Sequence, residues 1–255
     1  MNIESIISVI KETDAIFFDD SLRRDVRKKG DCDYVTRADI AVSEHLNKRL
    51  SEEFPTVGFV SEEGETKVPA KGEYWILDPI DGTTNFMTGM PLCCISLAYV
   101  SDGEVLNGII YSPYTKELFT AEKGKGACLN GKKISVSGVD SLSDCLGLIE
   151  LNAYFKNETD AAMEQARRIF TSCRDLRTIG SAALSFAYIA SGRCDVYLGR
   201  YLKPWDLAAG ILLVTEAGGR VGGFGRKIDL TEPRQHILAT NYRVFDEFEA
   251  MLLGL

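Results

Sequence analysis

The sequence has little positive charge and few of the features that mark several other protein classes. Its 29 Lys and Arg residues are outnumbered by 37 Asp and Glu, and a net charge of −8 is unlike the basic surplus of nucleic-acid and anionic-membrane binders. The N-terminus has no basic segment followed by a long apolar run, and no later stretch approaches the roughly 18 apolar residues of a membrane span. We therefore expect a cytoplasmic protein that binds neither membranes nor nucleic acid.

Histidine is also scarce, and the cysteines lack a metal-binding pattern. The two histidines, His45 and His236, are far apart in the chain, and the seven cysteines contain no CxxC pair. A structural zinc site is therefore not expected. The cysteines are odd in number and scattered, which is typical of reduced, mostly buried thiols. The acidic balance remains compatible with an anionic substrate, because carboxylates that hold a metal ion no longer repel anions.

The first part of the chain contains two apolar patterns with helical spacing. They predict an amphipathic helix over 3–18 and a second helix that begins near Asp33, with Thr36 or Asp39 as its cap, and breaks at Phe54-Pro55. The charged residues 23–30 lie between the two helices. We interpret this segment as a solvated loop, with Lys28 and Lys29 as candidates for a basic lid near a phosphate site.

The rest of the chain predicts an α/β protein. After a strand over 57–60 and another over 74–77, turn residues separate short apolar segments, which indicates an antiparallel meander. Its strands are 93–100, 105–111, 118–121 and 127–129. The second half alternates strands at 145–151, 175–178, 195–198 and 237–239 with helices at 159–171, 181–190, 204–218 and 242–253. We expect one domain over 1–255 made of two packed halves, roughly 1–140 and 141–255.

The stretch from Trp75 to Phe86 combines an apolar strand, two carboxylates and a Gly-Thr-Thr turn. Pro79 cannot donate to a ladder, so we expect the strand to stop at Asp78. Asp81 stands where a helix N-cap is expected, ahead of free amides at Gly82, Thr83 and Thr84 that attract anions. Two acids beside an anion site would repel the anion, which indicates that a divalent cation lies between them.

Three further acids have both an ordinary and a functional interpretation. Glu62 follows the strand over 57–60, where acidic residues are usually just solvated, yet the neighbouring strand brings Asp78 to the same edge of the sheet. Asp39 and Asp206 lie in the first turns of predicted helices, where capping or the helix dipole suffices to explain them. Taken together with the stretch around Asp78, all three become candidates for one site.

Three segments resemble the signature motifs of the inositol monophosphatase family. These segments are Glu62-Glu63, Asp78-Pro79-Ile80-Asp81-Gly82-Thr83-Thr84 and Pro204-Trp205-Asp206-Leu207-Ala208-Ala209-Gly210. The resemblance spans nearly the whole chain. It implies a layered αβαβα sandwich with a mainly antiparallel first sheet and a smaller second sheet. It also implies Mg²⁺-dependent, lithium-sensitive hydrolysis of a small phosphate monoester by a cytoplasmic homodimer.

Carried over residue by residue, the resemblance assigns the site. Two to three Mg²⁺ ions are implied: one held by Glu62, Asp78 and the Ile80 carbonyl, a second held by Asp78, Asp81 and Asp206, and a weaker third ion near Glu62. The catalytic residues implied are Asp39, Thr83 and Glu62, with Asp39 and Thr83 orienting the attacking water and Lys28 near the site. The residues implied in substrate binding are Asp81, Gly82, Thr83, Thr84, Ala182 and Asp206.

The mechanism implied is direct attack by a metal-activated water, with no covalent phosphoenzyme. The aspartyl-phosphate phosphatases of the haloacid dehalogenase type are the runner-up. They need two aspartates spaced by two, whereas Asp78 and Asp81 are spaced by three with a proline between them. A regulatory family member that binds protein or RNA is a third alternative, although the complete set of acids favours an enzyme.

One position departs from the family pattern. Members that prefer inositol phosphate carry a sugar-binding glutamate seven residues before the aspartate of the Trp-Asp motif, where this chain has Gly199. With Arg200, Tyr201 and Lys203 nearby, the leaving-group pocket is expected to be less acidic. Fructose 1,6-bisphosphate and the 2′-phosphate of NADP therefore stand as alternatives to inositol monophosphate.

Overall fold

The computed structural model describes residues 3–254, apart from the side chains of Ala153 and Tyr154. Its helices are α1 Ile3–Lys11, α2 Asp14–Phe17, α3 Asp20–Arg24, α4 Arg37–Glu53, α5 Thr83–Thr88, α6 Thr159–Ser172, α7 Ala182–Ala190, α8 Pro204–Glu216 and α9 Phe245–Leu253. Its strands are β1 Val26–Gly30, β2 Asp33–Thr36, β3 Gly58–Ser61, β4 Glu73–Asp81, β5 Cys94–Ser101, β6 Glu104–Ser112, β7 Glu117–Glu122, β8 Gly126–Leu129, β9 Lys132–Ile134, β10 Leu146–Glu150, β11 Asp175–Arg177, β12 Val196–Leu202, β13 Arg220–Gly223 and β14 Gln235–Thr240. Two 3₁₀ turns cover Leu142–Asp144 and Ala153–Glu158.

Two large sheets alternate with three layers of helices. The seven-stranded sheet has the order β3-β4-β5-β6-β7-β8-β9, and all its neighbours are antiparallel except β3 and β4. The five-stranded sheet has the order β11-β10-β12-β14-β13, with β10 parallel to both β11 and β12. Helices α1 and α4 cover the outer face of the first sheet, α7 and α8 lie between the sheets, and α6 and α9 cover the second sheet. The predicted αβαβα sandwich and the antiparallel meander are therefore confirmed.

Three apolar cores join the layers, and the strand residues that contribute to them alternate between the two faces of each sheet. In β4, Tyr74 and Ile76 point into the core shared with α7 and α8, whereas Trp75 and Leu77 point toward α1 and α4. This is the alternation that a strand buried on both faces requires. Within residues 3–254, we find no helix that combines the length and apolar character needed to cross a membrane. The cysteines are all free thiols, as expected.

The N-terminal elements differ from the prediction in three places. The second helix, α4, begins at Arg37 and not near Asp33, because Asp33–Thr36 forms the strand β2. The expected helix over 3–18 is broken into α1 and α2, because Thr13 is buried and its hydroxyl bonds back to the Ile10 carbonyl at 2.6 Å. The break lets Phe17 pack against Phe86 with a ring separation of 4.8 Å. The charged segment over 23–30 is not a loop: it forms the end of α3 and the exposed strand β1, which pairs with β2. The expected cap of α4 is confirmed, since Thr36 and Asp39 form a capping box.

The strand β4 does not stop at Asp78 as predicted. It runs through Pro79 to Asp81, with an irregularity opposite β5, where Asp78 pairs with Ser96 and Asp81 with Cys94. β3 pairs with β4 only up to Leu77, so the proline lies in a bulge where no ladder donor is required. The N-cap of α5 is consequently Gly82, with φ of 90°, and not Asp81. A Cβ at Gly82 would lie 2.8 Å from the Leu92 carbonyl oxygen, so this turn requires glycine.

The second half follows the predicted alternation with one addition. The glycine-rich segment over 218–225 contributes the edge strand β13 beside β14. Periodicity could not reveal β13, because the strand spans only Arg220–Gly223 and ends in two glycines. Gly222 is nevertheless packed, since a Cβ there would lie 2.6 Å from the Phe245 ring of α9.

Candidate active site

A cavity of about 290 Å³ lies where the acidic motifs meet. It is lined by β2, the turn after β3, the β4–α5 junction, the end of β10 and the first residues of α7 and α8. It thus collects the ends of elements from both halves of the chain. Every predicted site residue except Asp39 lines it, namely Glu62, Asp78, Ile80, Asp81, Gly82, Thr83, Thr84, Ala182 and Asp206.

Three aspartates form the centre of the cavity. Asp78, Asp81 and Asp206 each offer a carboxylate oxygen, and these three oxygens lie within 4.8 Å of one another. Asp78 Oδ1 accepts a hydrogen bond from the Ile80 amide at 3.0 Å. Asp206 Oδ2 accepts one from the Lys203 amide at 2.8 Å, so this aspartate also caps α8, as the ordinary interpretation predicted.

The second half of the chain holds Asp81 in place. Its Oδ2 accepts hydrogen bonds from the Ser181 hydroxyl at 2.5 Å and from the Ala183 amide at 2.7 Å, both at the start of α7. Asn85 of α5 makes a similar link, because its side-chain amide donates to the Leu92 carbonyl at 2.7 Å and to the Ile179 carbonyl at 2.9 Å. The β4–α5 junction is therefore bonded directly to the start of α7.

Burial and mutual repulsion raise the pKa of all three aspartates. Burial is the largest cause, and it raises the pKa of Asp81 to about 6 and that of Asp206 to about 8, with the charge of Glu62 as a further cause. The pKa of Asp78 is raised well above its usual value by burial and then by Glu62. Buried charges of one sign are costly unless a cation pairs with them. Because the donors are all hard oxygens, these residues fit Mg²⁺.

Glu62 lines the cavity but lies outside the three-aspartate cluster. Its Oε1 is 2.6 Å from the Lys203 ammonium and 4.0 Å from that of Lys29. Lys29 is 2.5 Å from Glu63, so two lysines neutralise the two glutamates of this turn. Lys28, the loop lysine predicted to be near the site, is exposed and pairs instead with Asp31 at 3.2 Å. Strand alternation in β1 separates these neighbouring lysines.

Asp39 and Thr83 approach each other beside the cavity. Thr83 Oγ1 is 3.4 Å from Asp39 Oδ1 and donates to the Ile80 carbonyl at 3.1 Å. The other carboxylate oxygen of Asp39 accepts from the Thr36 amide at 2.8 Å and from its hydroxyl at 2.5 Å. Capping thus occupies only Oδ2. Burial raises the pKa of Asp39 to about 7.

Sequence reasoning missed Glu150, the last residue of β10, which also lines the cavity. Its Oε2 is buried and has no hydrogen-bond partner among the described residues. Burial raises the pKa of Glu150 to about 8, and the charges of Asp81 and Asp206 contribute. The available signal was its place at the end of a strand in an α/β alternation. That signal was weak without knowing that β10 lies next to β12.

Gly199, where the family pattern has a glutamate, lies opposite Glu150 in the sheet. The two residues are register partners in the parallel β10–β12 pair. A Cβ at Gly199 would lie 2.5 Å from Leu202 Cδ1 and 3.0 Å from the Tyr197 hydroxyl. A side chain at this position would therefore require its neighbours to move. Arg200 and Tyr201 lie away from the acids and contact Glu158.

Comparison with known proteins agrees with this geometry. The sequence model of the inositol monophosphatase family matches residues 2–252. Fructose-1,6-bisphosphatase/inositol-1-monophosphatase of Thermotoga maritima is 40% identical over 202 residues, covering 79% of this chain and 75% of the relative. Inositol-1-monophosphatase of Rhizobium meliloti is 39% identical over 195 residues, covering 76% of this chain and 73% of the relative.

The solved structures extend the match to the fold. Extragenic suppressor protein suhB from Bartonella henselae has a TM-score of 0.89 at 32% identity, and the alignment covers 98% of both chains. The sequence matches and the shared fold lead to one conclusion: this chain is a member of the inositol monophosphatase family of phosphatases.

Proposed function

We propose that this protein hydrolyses a small phosphate monoester in a Mg²⁺-dependent reaction, releasing an alcohol and inorganic phosphate. One observation carries the proposal: oxygens of Asp78, Asp81 and Asp206 lie within 4.8 Å of one another in a cavity that also contains the start of α5. A cluster of hard anionic ligands next to free helix-start amides suits a cation and a phosphate together.

We propose that the cavity holds two to three Mg²⁺ ions. Glu62, Asp78 and the Ile80 carbonyl would hold one ion, Asp78, Asp81 and Asp206 would hold a second, and a weaker third would lie near Glu62. When bound, the ions would polarise the phosphoryl group and lower the pKa of a coordinated water. Because Asp206 comes from α8 and the other aspartates from β4, binding also requires both halves of the chain to act as one unit.

The chain's own residues would position the water and receive its proton. Asp39 and Glu62 can accept a proton, and the Thr83 hydroxyl, 3.4 Å from Asp39 Oδ1, can orient the water between them. Thr83 would have to exchange its present bond to the Ile80 carbonyl for one to the water. A positioned acceptor and donor reduce the entropic cost of the attack.

Other cavity residues would bind the ester on either side of the phosphorus. The amides at Gly82, Thr83 and Thr84 would hold the phosphate oxygens, because they begin α5 and lack intrahelical partners. Asp81, Asp206 and the backbone of Ala182 would contact the leaving alcohol. A covalent aspartyl phosphate is not required. Mass spectrometry after acid quench should find no phosphate on any aspartate, and a phosphorylated aspartate would favour the dehalogenase-type mechanism.

We propose inositol 1-phosphate as the first substrate to test. The name of the Rhizobium meliloti relative supports this substrate, and the name of the Thermotoga maritima relative supports fructose 1,6-bisphosphate as an alternative. The glycine at position 199 keeps the 2′-phosphate of NADP as a third candidate. We propose a cytoplasmic homodimer, which light scattering of the purified protein can check.

A phosphate-release assay tests the function. We expect purified protein to release phosphate from at least one of the three esters with Mg²⁺ and to lose this activity in EDTA. Asp78→Asn should be inactive while keeping the same circular dichroism spectrum. Lithium should inhibit the reaction. If the metal-loaded protein hydrolyses none of a broad panel of phosphate monoesters, the phosphatase proposal fails.

A regulatory role is the second candidate. The suhB name of the Bartonella henselae structure and the Nus factor name of a 37% identical Xylella fastidiosa relative favour it. If catalysis is absent and the protein binds an RNA or a protein partner, this candidate replaces the enzyme. The net charge of −8 makes a protein partner the better fit of the two.

A further inference from the structure

We propose that Glu150 is a specificity-determining residue that binds a hydroxyl group of the leaving alcohol next to the phosphate ester. The proposal rests on the phosphatase function proposed above and adds to it a residue on β10. The proposed recognition group is a buried hydrogen-bond acceptor at the cavity wall. The ligand it selects is an alcohol with a free hydroxyl near the ester oxygen.

The first argument is the unsatisfied oxygen. Glu150 Oε2 is shielded from solvent and has no hydrogen-bond partner among residues 3–254, although it lies at the cavity wall. Buried polar atoms in folded proteins nearly always have a partner, and leaving a buried acceptor unpaired is destabilising. An unpaired carboxylate oxygen at a cavity wall is accounted for when a ligand group completes its bonding.

The second argument concerns the strand next to Glu150. Gly199, which is the register partner of Glu150 on β12, contributes no side chain, and a Cβ there would contact Leu202 at 2.5 Å. A carboxylate for the alcohol cannot come from this position without repacking. Adjacent strands are about 4.8 Å apart. Glu150 therefore offers a carboxylate from the neighbouring strand, displaced by one strand spacing. It should bind a different hydroxyl of the alcohol from the one that a glutamate at position 199 would bind.

The third argument is the chemistry of the surroundings. Glu150 lines the same cavity as two candidate metal ligands, Asp81 and Asp206. Two polar residues, Asn152 and Lys203, also line this cavity. The Asn152 amide reaches the Arg200 carbonyl at 3.3 Å, so its orientation is supported from β12. Such a wall suits a polyhydroxylated alcohol better than an apolar one.

The test compares an ester that carries neighbouring hydroxyls with one that has none. Inositol 1-phosphate and p-nitrophenyl phosphate are assayed with Mg²⁺ for the full-length wild type, Glu150→Ala and Glu150→Gln. We expect Glu150→Ala to lower kcat/KM for inositol 1-phosphate about 10- to 100-fold, because the substrate hydroxyl loses its partner in a buried site. The same variant should change kcat/KM for p-nitrophenyl phosphate less than about threefold. Glu150→Gln, which keeps an acceptor, should recover part of the loss.

A matched control and a binding measurement complete the test. Glu122→Ala removes a partly buried glutamate that also ends a strand, β7, but pairs with Lys125 away from the cavity. This variant should leave kcat/KM unchanged for both esters. Calorimetry with Ca²⁺ in place of Mg²⁺ should show weaker inositol 1-phosphate binding for Glu150→Ala and unchanged binding of inorganic phosphate. If Glu150→Ala unfolds, the same comparisons are made with Glu150→Gln.

The outcomes separate this proposal from the phosphatase function. If the wild type hydrolyses neither these two esters nor a broad panel, the proposed function fails, and the role of Glu150 fails with it. If the wild type is active and Glu150 variants lose activity equally toward both esters, or lose none, the phosphatase function stands and the role of Glu150 is overturned. A loss confined to the hydroxylated ester supports the role.

Discussion

The substitution Asp206→Asn distinguishes a metal ligand from a helix cap. Asp206 Oδ2 accepts the Lys203 amide at 2.8 Å, and asparagine caps helices as well as aspartate does. The cap should therefore survive while the charge is lost. A residue that serves only as a cap would tolerate the change with little effect on stability or activity. If Asp206 belongs to the acidic cluster, the effect of the substitution on stability should depend on pH and on Mg²⁺.

The expected effect of Asp206→Asn on the free energy of unfolding follows from the raised pKa of Asp206. Asp206 keeps its proton up to about pH 8 when folded and releases it near 3.8 when unfolded. Between these two pH values the folded state binds more protons than the unfolded state. The free energy of unfolding therefore falls as pH rises, and the destabilisation by this carboxyl is complete above about pH 8. Because relaxation and water penetration reduce the cost of burying one ion to a few kcal/mol, we expect the substitution to recover about 2 to 3 kcal/mol at pH 9.

Thermal melts of the wild type and Asp206→Asn in EDTA measure this difference in stability. For a chain of this size, the gain corresponds to a Tm about 5 to 10 °C higher for Asp206→Asn at pH 9, shrinking toward zero near pH 4. With Mg²⁺ the order should reverse, because the wild type gains ligand stabilisation that the variant lacks. Asp246→Asn, the same change in the exposed first turn of α9, is the control. A variant that melts below the wild type at every pH, or keeps normal Mg²⁺-dependent turnover, would refute the reasoning.

Three further predictions concern the neighbours of the cluster. Lys203→Met removes the ammonium 2.6 Å from Glu62 and with it a positive charge that competes with the metal ion. Mg²⁺ should then raise the Tm of the variant at a roughly tenfold lower concentration than it does for the wild type. An unchanged Mg²⁺ midpoint would contradict this prediction. Gly82→Ala should lower the free energy of unfolding by at least about 2 kcal/mol more than Gly72→Ala in urea melts, because both have positive φ but only the former meets a carbonyl, at 2.8 Å. Equal losses would show that the contact relaxes. Thr83→Val should lower kcat about 100-fold with little change in Tm, whereas Thr83→Ser should stay within about tenfold; a similar loss in both variants would exclude the hydroxyl as the cause.

The sequence was informative where a local motif determines local structure. Thr36 and Asp39 form the expected capping box, and the meander follows from turn residues between apolar segments. The cavity residues around Asp78 could be found because their spacing and flanking glycine are readable in one short stretch. These features depend on neighbours within a few residues, which is the range over which sequence patterns are reliable.

Features set by distant contacts could not be predicted. Glu150 lines the cavity only because β10 lies beside β12, a pairing between residues some fifty positions apart. The continuation of β4 beyond Asp78 depends on β5 accepting a bulge and on β3 ending at Ser61. Glu62 was expected among the aspartates, but the structure pairs it with Lys203, which no local pattern could indicate. Strand order and side-chain pairing are decided by the whole fold.

The bulge at Pro79 changes the parity of β4. In a regular strand, residues three positions apart point to opposite faces, so Asp78 and Asp81 would be directed to different sides of the sheet. The extra residue lets Asp78 pair with Ser96 and Asp81 with Cys94, two positions apart on β5, and both carboxylates then face the same cavity. A three-residue spacing of acids is thus workable only with an odd insertion in the strand. Removing one residue between them would restore a regular ladder, and the spacing of two would again place both acids on one face.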